Sequence, residues 1–269
     1  MWNIWRTEWR SAIRQRSYYA FFVFWVVVTS CFFQIVKNAS SLTSYTNVTG
    51  TIANLILYII PLFMLIIGSF TIANEMENGQ WRLLSTYPIS AVSYVIGKFG
   101  GQFTAQCIVF TMSYGISILI ALLFGIVLSL KWVVVVYIFS LWLILFFLLL
   151  GVCVGAFVRT RWQALTTSVI LWFFLIIMWP SFLISILSIV PYTWISSILK
   201  IVLLFNPAEL LRVVFVISIQ GGAVFGQTYD VIVLSLASPI GWWLLLLYTI
   251  VFAFICIASS SWKLERRKC

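Results

Sequence analysis

Long, continuously apolar runs recur along this chain of 269 residues and restrict its fold more than any other feature. A bilayer hydrocarbon core about 30 Å thick needs about 20 helical residues for each crossing. Six runs are long enough to cross, and they cover residues 18–36, 51–73, 100–130, 132–158, 163–190 and 239–262. A transmembrane β-barrel would instead show short strands of alternating polarity. The pattern therefore predicts an all-α, polytopic integral membrane protein with six transmembrane helices in a single transmembrane domain, residues 1–269.

Composition narrows the chemistry that the chain can perform. Hydrophobic residues make up 63% of the chain and charged residues 8%, against roughly 25% charged in a typical soluble domain. The chain has no histidine, which excludes imidazole metal sites and histidine acid–base catalysis. Its five cysteines include no CxxC pair, and this favours apolar filler in helices over a disulfide framework. We expect no catalytic residue and no metal site.

The first sixteen residues carry an amphipathic pattern of their own. Tryptophans recur at helical spacing on one side (Trp2, Trp5, Trp9) and arginines largely on the other (Arg6, Arg10, Arg14). Such a pattern is typical of a helix lying in the membrane interface, so residues 1–16 are predicted to lie flat on the cytoplasmic leaflet. A cleaved signal peptide is the alternative. The apolar run that follows is long enough to span and lacks a small-residue cleavage site.

Proline and polar residues interrupt the pattern in three places. Pro61 predicts a kink in the second span and Pro180 a break near the outer end of the fifth. Between residues 191 and 238 the sequence is only moderately apolar, which predicts external or re-entrant amphipathic helices. A pair of additional spans is the alternative. It would place Glu209 and Arg212 in hydrocarbon at a cost of roughly 2.5 to 3.5 kcal/mol for each charge.

The distribution of basic residues predicts the orientation. With six spans, twelve of the sixteen lysines and arginines fall on one side, and the positive-inside rule assigns that side to the cytoplasm. Both termini and residues 74–93 are therefore expected to be cytoplasmic. The net charge of +10 then has a membrane explanation, and no basic soluble module favours a nucleic-acid partner.

The polar segment 74–93 interrupts the apolar sequence between the second and third runs. Asn74 can cap a short helix whose early carboxylates, Glu75 and Glu77, suit the positive helix end. Trp81, Leu83 and Leu84 would offer a packing surface, and Pro88 would end the unit. The simpler interpretation is that any connection between spans must be polar.

The sequence lacks the residues that usually supply energy for active transport. No GxxxxGK[ST] phosphate loop is present, because Gly97-Lys98 is followed by Phe99. No Asp, Glu, Lys, Arg or His can be assigned to the middle of a predicted span, where ion-driven transporters place such residues. If the chain transports actively, the energy must therefore enter from a partner protein.

Uncharged polar residues occur within the spans. Gln102, Gln106, Ser113 and Ser117 fall within an arc of about 60° at 100° per residue. Hydrogen bonding between helices is the favoured interpretation, and a candidate translocation path is the alternative. The GxxxG at residues 151–155 would let another helix approach closely, and both chance spacing and a dimer face remain open.

The segment 74–93 has a recognisable order, E-x-E-x-G-x-x-x-L-L-S-x-x-P-I-S, then Tyr94 and Gly97-Lys98. It resembles the cytoplasmic coupling segment of type-2 ABC exporter permeases, in which an acidic helix docks into a cleft of a separate ATPase. Two departures from that pattern are Gln80 and Ala91. The resemblance implies a docking and coupling role for Glu75, Glu77, Gly79, Arg82, Leu83, Leu84 and Pro88.

A second stretch, residues 205–212, resembles the branch with the membrane subunit of the nitrous-oxide-reductase maturation exporter and with bacterial peptide-export and immunity permeases. Its external motif comprises Asn206, Pro207, Glu209 and Arg212.

The resemblance implies a permease subunit of an ATP-driven exporter in the bacterial cytoplasmic membrane. Its partners would be two copies of a cytoplasmic ABC ATPase, which would bind ATP and magnesium, and a second permease copy or paralogue. This chain itself would bind no cofactor. Amphipathic cargo such as a peptide fits the polar and aromatic residues of the spans better than a bare ion. The alternative from another class is a non-transporting membrane anchor or assembly protein.

Overall fold

The computed structural model describes residues 2–14, 16–37, 47–84, 89–125, 129–219 and 239–267. Every regular element in those ranges is helical, which confirms the all-α prediction. The elements are α1 (Trp2–Arg14), α2 (Arg16–Lys37), α3 (Asn47–Glu77), α4 (Gln80–Leu84), α5 (Ala91–Leu123), α6 (Leu130–Phe157), α7 (Arg161–Trp172), a π-helical turn (Phe173–Met178), α8 (Trp179–Ile189), α9 (Tyr192–Phe205), α10 (Pro207–Ser218) and α11 (Pro239–Glu265).

Five helical columns are long and apolar enough to cross a membrane. They are Gly50–Glu77, Ala91–Leu123, Leu130–Phe157, Arg161–Ile189 and Gly241–Glu265. The first predicted span, residues 18–36, lies in α2, of which the apolar stretch Phe21–Cys31 meets the composition but not the length of a span. The sixth crossing therefore stays a prediction.

The predicted limits of the third span, residues 100–130, were wrong at both ends. The helix α5 begins at Ala91, because the Ser90 hydroxyl caps it by accepting from the Ser93 N–H at 3.3 Å. It ends at Leu123, and Gly125 follows with a φ of +70°, a left-handed conformation that glycine adopts without strain. Local capping chemistry, rather than hydropathy, decides both boundaries.

The centre of the bundle is the crossing of α3 and α6, the most extensive helix pair in the described chain. A Cβ added to Gly151 would lie 2.7 Å from the Leu65 carbonyl oxygen, and one added to Gly155 would lie 2.5 Å from that of Ser69. Gly68 of α3 faces Gly151 in the same way. The GxxxG of α6 therefore lets a helix of the same chain approach closely, and the dimer-face interpretation was wrong.

The predicted break at Pro180 was also wrong, because α7, the π-helical turn and α8 form one continuous column. A π-helical bond joins the N–H of residue i+5 to the carbonyl of residue i. The Leu175 carbonyl would thus need an N–H at position 180, which proline lacks. The Asn206 side chain supplies the missing donor, with its Nδ2 at 2.6 Å from the Leu175 oxygen.

The two helices after Pro191 are short. Helix α9 has 14 residues and α10 has 12, so neither reaches the roughly 20 residues of a crossing, and the alternative of two additional spans is wrong for this stretch. Eight residues of α10 are buried, and its Phe215 ring packs 4.7 Å from that of Phe139 in α6. Helix α10 is thus packed into the bundle, whereas residues 220–238 of the predicted external segment lie outside the described residues.

One end of the bundle gathers α1, α4, the start of α5 and the end of α11. Ile4, Trp81, Tyr94 and Leu264 belong to a single apolar cluster there. Arg267 donates to the Phe157 and Val158 carbonyls at 2.7 and 2.8 Å, which ties the C-terminal end of α11 to the end of α6. This end is named the charged end, and the described parts of both chain ends lie at it.

Candidate functional site

A buried ion cluster joins three helices at the charged end. The Lys98 ammonium of α5 contacts Oε1 of Glu8 in α1 and Oε1 of Glu75 in α3. The Lys98 side chain is only 4% exposed. The Tyr94 hydroxyl donates to the other oxygen of Glu75, and Gln102 Nε2 donates to the other oxygen of Glu8 at 3.5 Å. Two carboxylates thus share one ammonium, which leaves the cluster with a net charge of −1.

Helix α1 reaches this cluster because α5 has two glycines facing it. A Cβ added to Gly101 would lie 2.6 Å from Glu8 Cβ, and one added to Gly100 would lie 3.2 Å from the Trp5 ring. The Trp5 and Trp9 rings stack at 5.7 Å. The prediction of an amphipathic helix is retained for α1, but much of its tryptophan face packs on α5 rather than on lipid.

The polar segment differs from its predicted form at its beginning. Helix α3 continues to Glu77, so Asn74 lies inside this helix and does not cap a new one, and the Glu75 carboxylate points inward to the cluster. Gly79 follows with a φ of +72°, the left-handed conformation that ends a helix. The predicted cap was wrong because the hydrogen bonds of the span extend past the first polar residues.

The short helix α4 has one buried side and one exposed side. Trp81 is buried with its ring 4.9 Å from that of Tyr94. Leu83 is 69% exposed. The side chains of Arg82 and Leu84 and the whole of Pro88 lie outside the described residues, and their docking role stays a prediction.

Glu77 is the acidic residue of this segment that faces outward. Its carboxylate accepts from the backbone N–H of Arg161 at 2.7 Å and lies 3.8 Å from the Arg161 guanidinium, with the Glu77 side chain 40% exposed. A carboxylate at the first turn of α7 is favourable because the N-terminus of a helix carries partial positive charge. Glu77 therefore links α3 to α7 and still presents a carboxylate to solvent.

A cavity of about 440 Å³ opens beside the ion cluster, between α1, α2, α3 and α5. Polar side chains on its wall include those of Asn74, Gln102 and Gln106, and Arg161 lies at its α7 side. Its apolar wall is formed by Phe21, Ile67 and Phe70.

The polar stripe of α5 faces α2. The Tyr18 hydroxyl donates to Gln102, the Ser113 hydroxyl lies 3.3 Å from the Phe22 carbonyl, and the Ser117 hydroxyl lies 3.2 Å from that of Val26. These three side chains make the contacts between helices that the favoured interpretation expects. The fourth, Gln106, is buried and lines the cavity.

The external motif connects α9 to α10 and forms the N-terminal end of α10. Asn206 accepts from the Ala208 N–H at 3.0 Å and so caps α10, with Pro207 in its first turn. Glu209 is buried and lies 3.4 Å from Arg212. Burial raises the pKa of the Glu209 carboxyl, and the adjacent Arg212 guanidinium offsets this only in part. Together with the bond to Leu175, the motif fixes α10 against the π-helical turn.

Sequence reasoning missed Glu8 as the third member of the ion cluster. The signal was present, since Glu8 is an acidic residue next to Trp5 and Trp9 on the apolar side of an otherwise basic helix. A carboxylate in that position is poorly placed against anionic lipid headgroups and indicates a basic partner within the protein.

Comparison with known proteins agrees with this architecture. The family model described as ABC-2 family transporter protein matches residues 2–268. A probable ABC transporter permease protein NosY from Stutzerimonas stutzeri is 27% identical over 247 residues, which cover 89% of this chain and 88% of the relative. The protein of the same description from Pseudomonas aeruginosa is 25% identical over 231 residues, or 80% of each chain. These matches confirm the family resemblance, and the chain belongs to the ABC-2 transporter family as the membrane-spanning permease subunit of an ABC transporter.

Proposed function

We propose that this permease exports amphipathic cargo and receives the energy of ATP hydrolysis through the end of α3 and through α4. The docking surface comprises Glu77, Gly79, Gln80 and Leu83. The observation that supports it is the two-faced packing of α4, in which Trp81 is buried on the bundle and Leu83 is 69% exposed. An exposed leucine beside an exposed carboxylate suits a protein partner, since buried apolar anchors supply most of the affinity at interfaces.

The ion cluster supports transmission of a displacement from that surface. Glu75 lies two residues before Glu77 in the same helix and contacts Lys98 of α5, which also contacts Glu8 of α1. A rigid shift of α4 would therefore move three helices together. Buried ion pairs resist separation, because each unpaired charge would cost several kcal/mol, on the order of 3 to 5.

The proposed orientation places the charged end in the cytoplasm. Basic residues concentrate there, including Arg6, Arg10, Arg159, Arg161 and Arg267, as the positive-inside rule requires. Both chain ends at one end of the bundle support α2 as the sixth crossing. We further propose a permease dimer, with a second copy or a paralogue, bound to two ATPase copies, and a cargo path along the α5 stripe Gln102, Gln106, Ser113 and Ser117.

Charge and polarity changes on the docking surface test the proposal. Leu83→Asp and Glu77→Lys should each lower copurification of the ABC ATPase by at least about tenfold, since losing one interface anchor costs roughly 2 kcal/mol or more. Glu265→Lys is the matched control, because Glu265 is exposed on α11 and lies outside the docking surface. Undiminished copurification with both variants would disprove docking here.

Transport itself needs a second measurement. In the purified complex, cargo should stimulate ATP hydrolysis, and Leu83→Asp should remove that stimulation. A complex that assembles normally but never responds to cargo would indicate a static anchor rather than a transporter.

A further inference from the structure

The cavity beside the ion cluster has the size and the lining of a ligand site. Its volume of about 440 Å³ lies within the range of roughly 300 to 1,000 Å³ typical of small-molecule pockets. Carboxylate, amide and phenol groups line one wall, and aromatic and aliphatic side chains line the other. The pocket is therefore amphipathic.

Two amide oxygens at the cavity lack hydrogen-bond partners among the described residues. Gln106 is 1% exposed, and its Oε1 is not hydrogen-bonded. The Tyr18 hydroxyl donates to Gln102, and it also lies beside the Gln106 amide group. Asn74 Oδ1 is likewise buried without a partner. Leaving a buried amide unpaired costs about 1 to 3 kcal/mol, so these groups indicate a polar occupant.

The charge of the wall selects the sign of that occupant. Among the described residues, Glu8 and Glu75 share Lys98, while Arg161 on the far side is paired with Glu77. These five charged groups together carry a surplus of one negative charge. A cation placed in the cavity would be attracted to the cluster, and an anion would be repelled.

An organic ammonium fits better than a bare ion, because the second wall is apolar. Phe21, Ile67 and Phe70 offer hydrocarbon contact, which a hydrated metal ion could not use. We propose that this cavity binds the ammonium group of an amphipathic molecule, with Glu75 and Glu8 facing the charge and the Gln106 and Asn74 oxygens accepting its N–H groups. That the cavity binds an ammonium group does not depend on the proposed function. That it is the position where exported cargo first binds does rest on the proposed function.

The test measures binding without any ATPase. The full chain is placed in phosphatidylcholine nanodiscs and titrated with dansylcadaverine, a primary ammonium attached to an apolar fluorophore, and fluorescence anisotropy gives Kd. Glu75→Gln removes the surplus charge but leaves the Lys98–Glu8 pair, and it should raise Kd by about tenfold or more, as expected for a hydrogen bond to a charged group. Dansylamide, which lacks the ammonium, should bind at least about tenfold more weakly.

Two further variants keep the result interpretable. Glu265→Gln changes the total charge equally at an exposed position outside the cavity and should leave Kd unchanged. Gln106→Leu keeps the ion cluster and should raise Kd by about threefold to tenfold through loss of one amide acceptor. Equal binding of dansylcadaverine by the native chain, Glu75→Gln and Gln106→Leu, or equal binding of dansylamide, would overturn the proposal and leave the cavity to water.

Changing the lipid composition of the nanodiscs distinguishes two sources of the ammonium group, a lipid headgroup and a free amphiphile. Replacing part of the phosphatidylcholine with phosphatidylethanolamine should raise the apparent Kd only if the lipid headgroup occupies the pocket, and an unchanged Kd indicates a free amphiphile. Failure of probe binding with normal ATPase copurification rejects the pocket alone. Probe binding without copurification rejects the docking proposal alone.

Discussion

Helices α3 and α6 meet through glycines, whereas α5 is bridged to α2 by hydroxyl and amide side chains; α5 and α1 use both glycines and the Lys98 ion cluster. In the first pair the backbones touch, and a single methyl group would lie within 3 Å of a carbonyl oxygen. In the second pair, Gln102, Ser113 and Ser117 bridge the helices. Two backbones in contact can pack at one distance only, whereas hydrogen bonds between side chains can exchange partners. The difference assigns the rigid role to the α3–α6 crossing and makes the α2–α5 contact the adjustable one.

The largest expected effect comes from breaking the ion cluster. Lys98→Met should destabilise the protein by about 3 to 5 kcal/mol, because it leaves two carboxylates unpaired in a buried site. Thermal unfolding in detergent would measure the loss. The matched control is the triple variant Glu8→Gln, Glu75→Gln, Lys98→Met, which removes all three charges and should recover most of the stability. A Lys98→Met protein as stable as the native chain would show that the cluster holds nothing together.

A smaller effect is expected at the α3–α6 crossing. Gly155→Ala should destabilise by about 1 to 3 kcal/mol through overpacking against the Ser69 backbone. At Gly115, in α5, an added Cβ meets nothing within 4 Å, so Gly115→Ala should stabilise by up to about 1 kcal/mol through helix propensity. The two substitutions are chemically identical, and unfolding measurements that gave them the same sign would contradict a backbone contact at Gly155.

The smallest expected effect belongs to a single hydroxyl of the polar stripe. Ser117→Ala should cost about 0.6 kcal/mol, the typical value for a hydrogen bond between membrane helices. Ser185→Ala is the control, because that exposed hydroxyl bonds to Ser181 of its own helix at 2.9 Å. A transport defect in Ser117→Ala that exceeds its stability loss would support the cargo path. An effect on stability alone would leave the stripe with a packing role.

Hydropathy predicted the existence of all five helical columns, and the limits of four of them to within a few residues, because burial in lipid demands long apolar runs whatever their neighbours are. It failed where local chemistry decided the outcome. The cap at Ser90 began α5 early, and the span continued past Asn74 into the polar segment. At Pro180 the expected break became a π-helical turn, because Asn206 from a distant part of the chain replaced the missing donor.

The candidate site was predictable in part. Glu75, Lys98 and Gln102 were each identified from motif or spacing, but as members of separate features. Nothing in the linear order pairs Lys98 with Glu8, since 90 residues separate them. That pairing depends on Gly100 and Gly101, which let α1 approach α5.

The amino-acid sequence was enough to predict a helical membrane protein, a polar segment on the same side as most of the basic residues, and the family that the chain resembles. These properties follow from composition and local residue order, because whether a segment enters lipid or stays in water depends mainly on its own residues. The directions of the two carboxylates in the polar segment depend on helix packing, which turns Glu75 to Lys98 and Glu77 to the surface. Helix packing also created the cavity beside Gln106, because a cavity is the space that packed helices leave between them and has no representation in a single chain segment.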